Sequence, residues 1–271
     1  MLASVQISWG PISSLNDLGL KLYAPNGQLN SQSNNINLPG LTGKRERVAI
    51  NAPVAGSWQA NIVNTLGVGM GSQEYVGVLE VSRAQYASMS DVSGMDQRSR
   101  NDIYQSLRTY TMWPIGNNFR SDFAVTRADL ATALVLGGRV PQYLPGQPSF
   151  SDDRDSTTMP FVESVQAAPG GPIFINTTVG GRFRPYDSVD RLTAAVALVR
   201  AAGLRAQAEG QSTAPLAVLD ALSIPSNLRG YVSLAISKGI LTSGNSFYPQ
   251  RPLTRGELAH AMAALQRLAT Q

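Results

Sequence analysis

The stretch Phe247-Tyr248-Pro249-Gln250-Arg251-Pro252-Leu253-Thr254-Arg255-Gly256-Glu257-Leu258-Ala259 decides the fold, because its pattern occurs three times at a fixed interval. Phe119, Phe183 and Phe247 stand 64 residues apart, and each precedes by eight residues an arginine: Arg127, Arg191 or Arg255. Val125, Val189 and Leu253 keep the same interval, as do Ala131, Ala195 and Ala259. Leu134, Leu198 and Met262 extend the apolar face. Self-similarity in register means one supersecondary unit used three times, each copy unable to bury its apolar face alone.

Every copy runs in one order. An acidic or polar lead (Met89-Ser90-Asp91, Phe150-Ser151-Asp152, Leu219-Asp220) opens it, and a short helix follows at about 98–108, 159–168 and 227–237. A turn, clearest at Lys238-Gly239-Ile240-Leu241, leads to the phenylalanine loop, and then an amphipathic helix begins. Thr126 and Thr254 stand where an N-cap is needed. Asp129 and Glu257 follow three residues later, the spacing of a capping box. The arginine lies in the first helical turn, where the macrodipole disfavours a cation. Something must offset this. Either an anion binds at the helix N-terminus, where backbone N–H groups are free and guanidinium grips carboxylate, or an internal ion pair forms with Asp91, Asp152 or Asp220.

Three features, namely Thr126-Arg127-Ala128-Asp129 with Thr254-Arg255-Gly256-Glu257, the Phe183-Arg184-Pro185-Tyr186 and Phe247-Tyr248-Pro249 loops, and the Phe150-Ser151-Asp152 lead, resemble the S-layer homology (SLH) domain over nearly all of residues 86–271. The copies fall at 86–145, 146–210 and 211–271. The middle one departs from the pattern, with Asp190-Arg191-Leu192-Thr193 in place of the signature and a longer turn at Pro169-Gly170-Gly171. The resemblance implies an α-helical pseudo-threefold bundle that binds acidic, often pyruvate-modified, cell-wall polysaccharide in grooves between repeats. It implies a polysaccharide site comprising Arg127, Arg191, Arg255, Thr126, Thr254, Asp129 and Glu257. Trp113, in the loop before Phe119, is a candidate for stacking on a sugar. The acidic Asp190 beside Arg191 ranks that groove below those of Arg127 and Arg255. The phenylalanines read as core pins.

Residues 1–85 read as β. Val5, Ile7 and Trp9 alternate with polar residues, as do Leu18, Leu20 and Leu22, and the period of two continues at Val48 and Ile50, at Trp58, Ala60 and Ile62, and at Tyr75, Gly77 and Leu79 or their neighbours Val76 and Val78. Turn signals at Ala24-Pro25-Asn26-Gly27, Leu38-Pro39-Gly40 and Pro53-Val54-Ala55-Gly56 separate them. Short strands at this spacing predict a β-sandwich or jelly roll. Trp58 reads as a core aromatic, Gly67, Gly69 and Gly71 as a hairpin, and Lys44-Arg45-Glu46-Arg47 as a solvated strand edge. Asn16 to Gly27 and Ala55 to Ala60 resemble the pre-peptidase C-terminal, proprotein-convertase-like β-domains that follow secreted subtilisin-type proteases. Gly19 replaces an acidic residue of that family, so the resemblance carries no calcium site here. The expected fold class is thus multidomain β + α: a sandwich followed by three SLH-type repeats.

Composition narrows function further. There are no cysteines, hence no disulfide, thiolate metal site or cysteine nucleophile. The single histidine, His260, is too few for a histidine metal site. No pattern supplies a catalytic constellation; Asp152 and Asp153 are explained by the lead. The expectation is therefore no catalysis, no cofactor and no metal. The net charge of +4 is scattered, without the basic stripe of a nucleic-acid binder, and suits an acidic polysaccharide better. No apolar run reaches the roughly 18 residues of a membrane span. The chain enters strand pattern almost at Met1, as a C-terminal piece with targeting information upstream would. The expected role is attachment at the extracellular cell surface. The alternatives are a self-assembling lattice or filament protein and an accessory region of an upstream secreted protease.

Overall fold

A computed structural model of the chain describes residues 2–10, 14, 16–34, 44–51, 53–66, 72–82, 86, 88–153, 155, 157–211 and 215–269. The hairpin expected at Gly67, Gly69 and Gly71 lies outside these residues, as does the Leu38-Pro39-Gly40 turn. The predicted change from β to α falls after Ser82.

Among the described residues six strands come first: β1 (Leu2–Trp9), β2 (Asp17–Tyr23), β3 (Leu29–Ser33), β4 (Arg45–Asn51), β5 (Gln59–Leu66) and β6 (Tyr75–Ser82). They form two antiparallel sheets of three strands, in orders β4-β1-β6 and β3-β2-β5. In the first sheet Val5 faces Val48 on one side and Leu79 on the other. Period-two alternation sends Ile7, Trp9 and Val48 of the first sheet and Leu18, Leu20 and Leu22 of the second into one small apolar cluster. Two expectations need correction here. Trp58 is only half-buried at the rim of this cluster, its indole N–H donating to Val54 O at 3.0 Å. Lys44-Arg45-Glu46-Arg47 is not a solvated edge throughout. The alternation that exposes Arg45 and Arg47 buries Lys44 and Glu46, and these are satisfied by Ser14 O, at 2.5 Å, and the Ser33 hydroxyl.

Gln142 ties the sheets to the helical part. Its carbonyl accepts from Gln32 N of β3 at 2.7 Å, and its side-chain amide accepts from Ala49 N and donates to Arg47 O of β4. A side-chain amide thus completes hydrogen bonds of an edge strand, which blunts that edge against other strands.

Among the described residues eight α-helices follow: α1 (Ser90–Ser93), α2 (Gln97–Arg108), α3 (Arg127–Leu136), α4 (Met159–Gln166), α5 (Arg191–Ala201), α6 (Arg205–Gly210), α7 (Arg229–Ser237) and α8 (Arg255–Ala269). The three short helices read from the sequence are α2, α4 and α7. The three capped ones are α3, α5 and α8. α3 and α5 are buried nearly all round, as helices with apolar residues on every face must be. No helix among the described residues is long and apolar enough to cross a membrane.

The residues just before the capped helices meet in a closed ring. Val125 N donates to Leu253 O at 2.9 Å, Leu253 N to Val189 O at 2.8 Å, and Val189 N to Val125 O at 2.9 Å. All three side chains are buried. Around the ring Phe119, Phe183 and Phe247 are fully buried, as expected of core pins. Phe183 packs tilted on Phe150 and edge-on to Phe174, with centroids 5.4 and 5.1 Å away. Truncating it empties a ring-sized volume that three elements cannot refill together. Phe183→Ala should cost about 3–5 kcal/mol, measured as a loss of unfolding free energy in urea.

Candidate ligand-binding site at the capped helices

Each lead aspartate clamps the loop of its own copy. Asp91 accepts from the amides of Phe119 (3.2 Å) and Arg120 (2.8 Å). Asp152 accepts from Phe183 (2.8 Å) and Arg184 (2.9 Å), and Asp220 from Phe247 (2.8 Å) and Tyr248 (2.7 Å). The second residue of each pair sits in the left-handed region: Arg120 at φ 60°, Arg184 at φ 59° and Tyr248 at φ 56°. Non-glycine residues adopt this conformation only when their surroundings over-determine it, and the carboxylate forks do that. Burial by itself would raise the pKa of Asp152 and Asp220. The loop amides outweigh it and hold both below the usual carboxylate range. The aspartates are therefore not the ion-pair partners of the repeated arginines.

The clamped loops point their carbonyls at the N-termini of the capped helices. Arg127 N donates to Asp187 O and Ala128 N to Pro185 O. Arg191 N donates to Arg251 O and Leu192 N to Pro249 O, while Arg255 N donates to Phe123 O and Gly256 N to Ser121 O. The third amide of each helix goes to its cap. Thr126 and Asp129 form a reciprocal capping box. Thr254 and Glu257 exchange the same bonds at 3.3 and 2.9 Å, and Asp190 caps Thr193 N at 2.7 Å. The expectation of free N–H groups for an anion is thus corrected, since these amides are consumed in folding. Asp190 caps α5, and its carboxylate also acts through space on Arg127.

What remains at each helix start is the guanidinium. In every case Nε donates to the carbonyl of the next phenylalanine in cyclic order: Arg127 to Phe183 O (2.7 Å), Arg191 to Phe247 O (2.8 Å) and Arg255 to Phe119 O (2.9 Å). Each guanidinium also lies over that same ring, 4.7 to 4.8 Å from its centroid. Cation–π attraction and a carbonyl offset part of the unfavourable dipole.

The three sites differ in charge balance. Arg191, 2% exposed, is ion-paired through Nη1 with Glu257 and gives Nη2 to Thr242 O. Arg251 holds the same carboxylate at 2.5 Å. Burial lowers the Arg191 pKa and Glu257 opposes that. Arg255 gives Nη2 to the backbone carbonyl of Trp113, whose indole is exposed. Burial lowers its pKa, and the carboxylate of Asp129 opposes this from a distance beyond ion pairing. Arg127, 4% exposed, has Asn176 Oδ1 at 3.1 Å from Nη1 and a second ring, Phe174, at 4.6 Å. Among the described residues no carboxylate pairs with it, and its buried Nη2 has no hydrogen-bond partner. Burial, with Arg184 nearby, pushes its pKa down to about 10, so it stays charged at neutral pH.

The structure thus collects Arg127, Arg191, Arg255, the two threonine caps, Asp129, Glu257 and Trp113 around three related helix starts. Reading the sequence missed Phe174 and Asn176, which complete the surroundings of Arg127. Both lie in the longer turn of the middle copy, which was visible without a role. His260 lies within α8, its Nδ1 2.7 Å from Asp102 Oδ2. Burial pushes Asp153 up to about 6, and its Oδ1 accepts from Thr158.

The profile of the S-layer homology domain matches residues 220–259, from the clamp Asp220 through the cap Thr254 and Arg255 into α8. S-layer homology domains are non-catalytic modules that anchor proteins to the cell wall, so the match associates this part of the chain with the cell surface. No curated protein matches the chain.

The charge balance has a thermodynamic consequence. Removing one partner of a buried ion pair strands the other. Glu257→Ala should therefore cost about 3–5 kcal/mol, whereas Arg127→Met, which removes an unpaired buried charge, should cost less than half as much. Urea unfolding of the two variants checks the order.

Proposed function

We propose that this chain holds to the cell surface by binding an acidic cell-wall polysaccharide, with the Arg127 guanidinium as the principal anion contact. In this reading residues 86–145, 146–210 and 211–271 are three SLH-type units closed into a pseudo-threefold bundle, and residues 1–85 are a β-sandwich carried beside it. The 64-residue register and the closed ring of Val125, Val189 and Leu253 support the bundle. The profile match to residues 220–259 supports anchoring.

The observation that carries the assignment is a buried, charged and unpaired guanidinium at Arg127. Its desolvation is costly unless an anion completes it. A carboxylate accepts from a guanidinium fork bidentately, and a pyruvate-modified sugar supplies such a carboxylate. The unequal sites follow from the third residue of the next helix in the cycle. Glu257 of α8 reaches Arg191 of α5 and neutralises it internally. Asp129 of α3 is one methylene shorter and acts on Arg255 only through space. The corresponding residue of α5 is the uncharged Thr193, and Asp187, Asp190 and Asp152 act on Arg127 only through space. The departure of the middle copy from the signature is therefore what leaves Arg127 without an ion-pair partner among the described residues. Arg255, with Trp113 beside it, is the second contact, and Arg191 is closed.

Thr193→Glu supplies the missing internal carboxylate without touching Arg127. It should leave thermal stability equal or higher, because an acid is favoured in the first helical turn. It should also weaken binding to purified wall polysaccharide at least ten-fold. Binding as tight as that of the unaltered chain would overturn the assignment.

One observation favours a second reading, assembly of copies. β6 is an edge strand with one ionised side chain, and Tyr75, Val76, Val78, Leu79 and Val81 on it are all exposed. Such an edge is open to strand addition. Electron microscopy of purified protein without wall material should show ordered assemblies if this reading holds, and single particles if it does not.

A further inference from the structure

The middle copy carries a cleft that the three helix starts do not use. It lies at the C-terminal end of α5, opposite the end that carries Arg191. The 170–177 turn, α6 and α7 form its other walls. Its volume is about 530 Å³, within the roughly 300–1,000 Å³ range of small-molecule sites. α6 is fixed against α7 with almost no tolerance: a Cβ on Gly230 would stand 1.9 Å from Ala208 O. The polar groups that α6 presents are thus held at a defined distance from α7.

Two arginines converge on the cleft. Arg200, with a side chain only 5% exposed, gives Nε to Pro172 O at 2.7 Å and Nη1 to the Tyr231 hydroxyl at 3.1 Å. Arg205 gives Nη1 to Gly170 O at 3.3 Å and Nε to Glu209 at 2.9 Å. Gly171, at φ 89°, lies between the two side chains. A Cβ there would stand 2.9 Å from Arg205 Nη1 and 3.4 Å from Arg200 Nη2. The glycine lets both guanidinium groups approach one point. Tyr231 donates to Glu209 at 3.0 Å, so the one carboxylate in the cleft is shared among Tyr231, Arg205 and, at 3.7 Å, Arg200. Two cations face a single anion, and among the described residues nothing accepts from Arg200 Nη2. The rest of the lining combines the hydroxyl of Thr177 and the amide of Asn227 with the apolar edges of Ile175 and Leu228. Phe174, which stacks on Arg127, forms part of the wall.

We infer that this cleft binds a carboxylate-bearing sugar, the carboxylate bridging Arg200 and Arg205 and the hydroxyls meeting Thr177 and Asn227. The site shares the Phe174 ring with the Arg127 contact but takes its anion on other guanidinium groups, so it does not depend on that contact's being correct. Its ligand is either a free sugar acid or one unit of an acidic polymer.

The test is a titration of the ¹⁵N-labelled full chain with galacturonic acid, with its linear trimer and with neutral glucose. The amides of Ile175, Thr177 and Asn227 should shift with an acidic sugar and not with glucose. A response to the monomer identifies a free sugar acid as sufficient, and a response to the trimer alone identifies a polymer segment. Arg205→Gln, an exposed change that leaves α6 packed, should raise the dissociation constant at least ten-fold. Arg127→Met should leave these shifts intact, so loss of wall binding and loss of cleft binding are read separately. The inference is overturned by absence of shifts with both acidic sugars, by an equal response to glucose, or by an Arg205→Gln variant that binds as the unaltered chain does.

Discussion

Three backbone hydrogen bonds, among Val125, Leu253 and Val189, close a ring that the rest of the helical part depends on. They join points far apart in the chain, so each closure is entropically expensive, and burial of the surrounding phenylalanines and helix faces must offset it. Once the ring is closed, each loop lies across the start of another copy's helix. Its carbonyls then satisfy the amides that a helix N-terminus otherwise leaves unpaired. The lead aspartates keep the loops in the left-handed turn that aims those carbonyls. Fold and site share one cause: the helix amides are used up internally, and only the arginine side chain is left to face anything else.

Equal cradles with unequal charge give the molecule its direction. A buried ion pair stabilises little beyond a well-packed apolar pair, but breaking one is severe. Arg191 with Glu257 is thus a structural element, fixed further by Arg251. Arg127 has the same carbonyl and the same kind of ring, with an amide where the other has a carboxylate. A buried guanidinium with a free nitrogen is unfavourable for the isolated fold. Buried charges of this kind concentrate at functional sites.

Much of this was legible in the sequence because it is local or periodic. The 64-residue interval located the capped helices. Threonine followed three residues later by an acid announced the caps, and period two located the strands. The turn at Gly27, with φ 80°, follows from its residue type. What was not legible depends on cyclic order in space. Arg191 and Glu257 are 66 residues apart, and nothing near either names the other. The aspartate leads carried no mark that they would bind loop amides rather than arginines. Lys44 and Glu46 look like surface charges until the second sheet covers them. Asp190 drew attention as an acid beside an arginine, whereas the informative residue was Thr193, an absence of charge three positions on.

An acidic wall polymer is the proposed partner of the unpaired guanidinium. The most direct measurement is a pull-down of the purified chain with cell-wall sacculi, untreated and stripped of their acidic polysaccharide. Retention on untreated walls is expected, lost on stripped ones and weakened by added salt. Equal retention on both, or on neither, would contradict it.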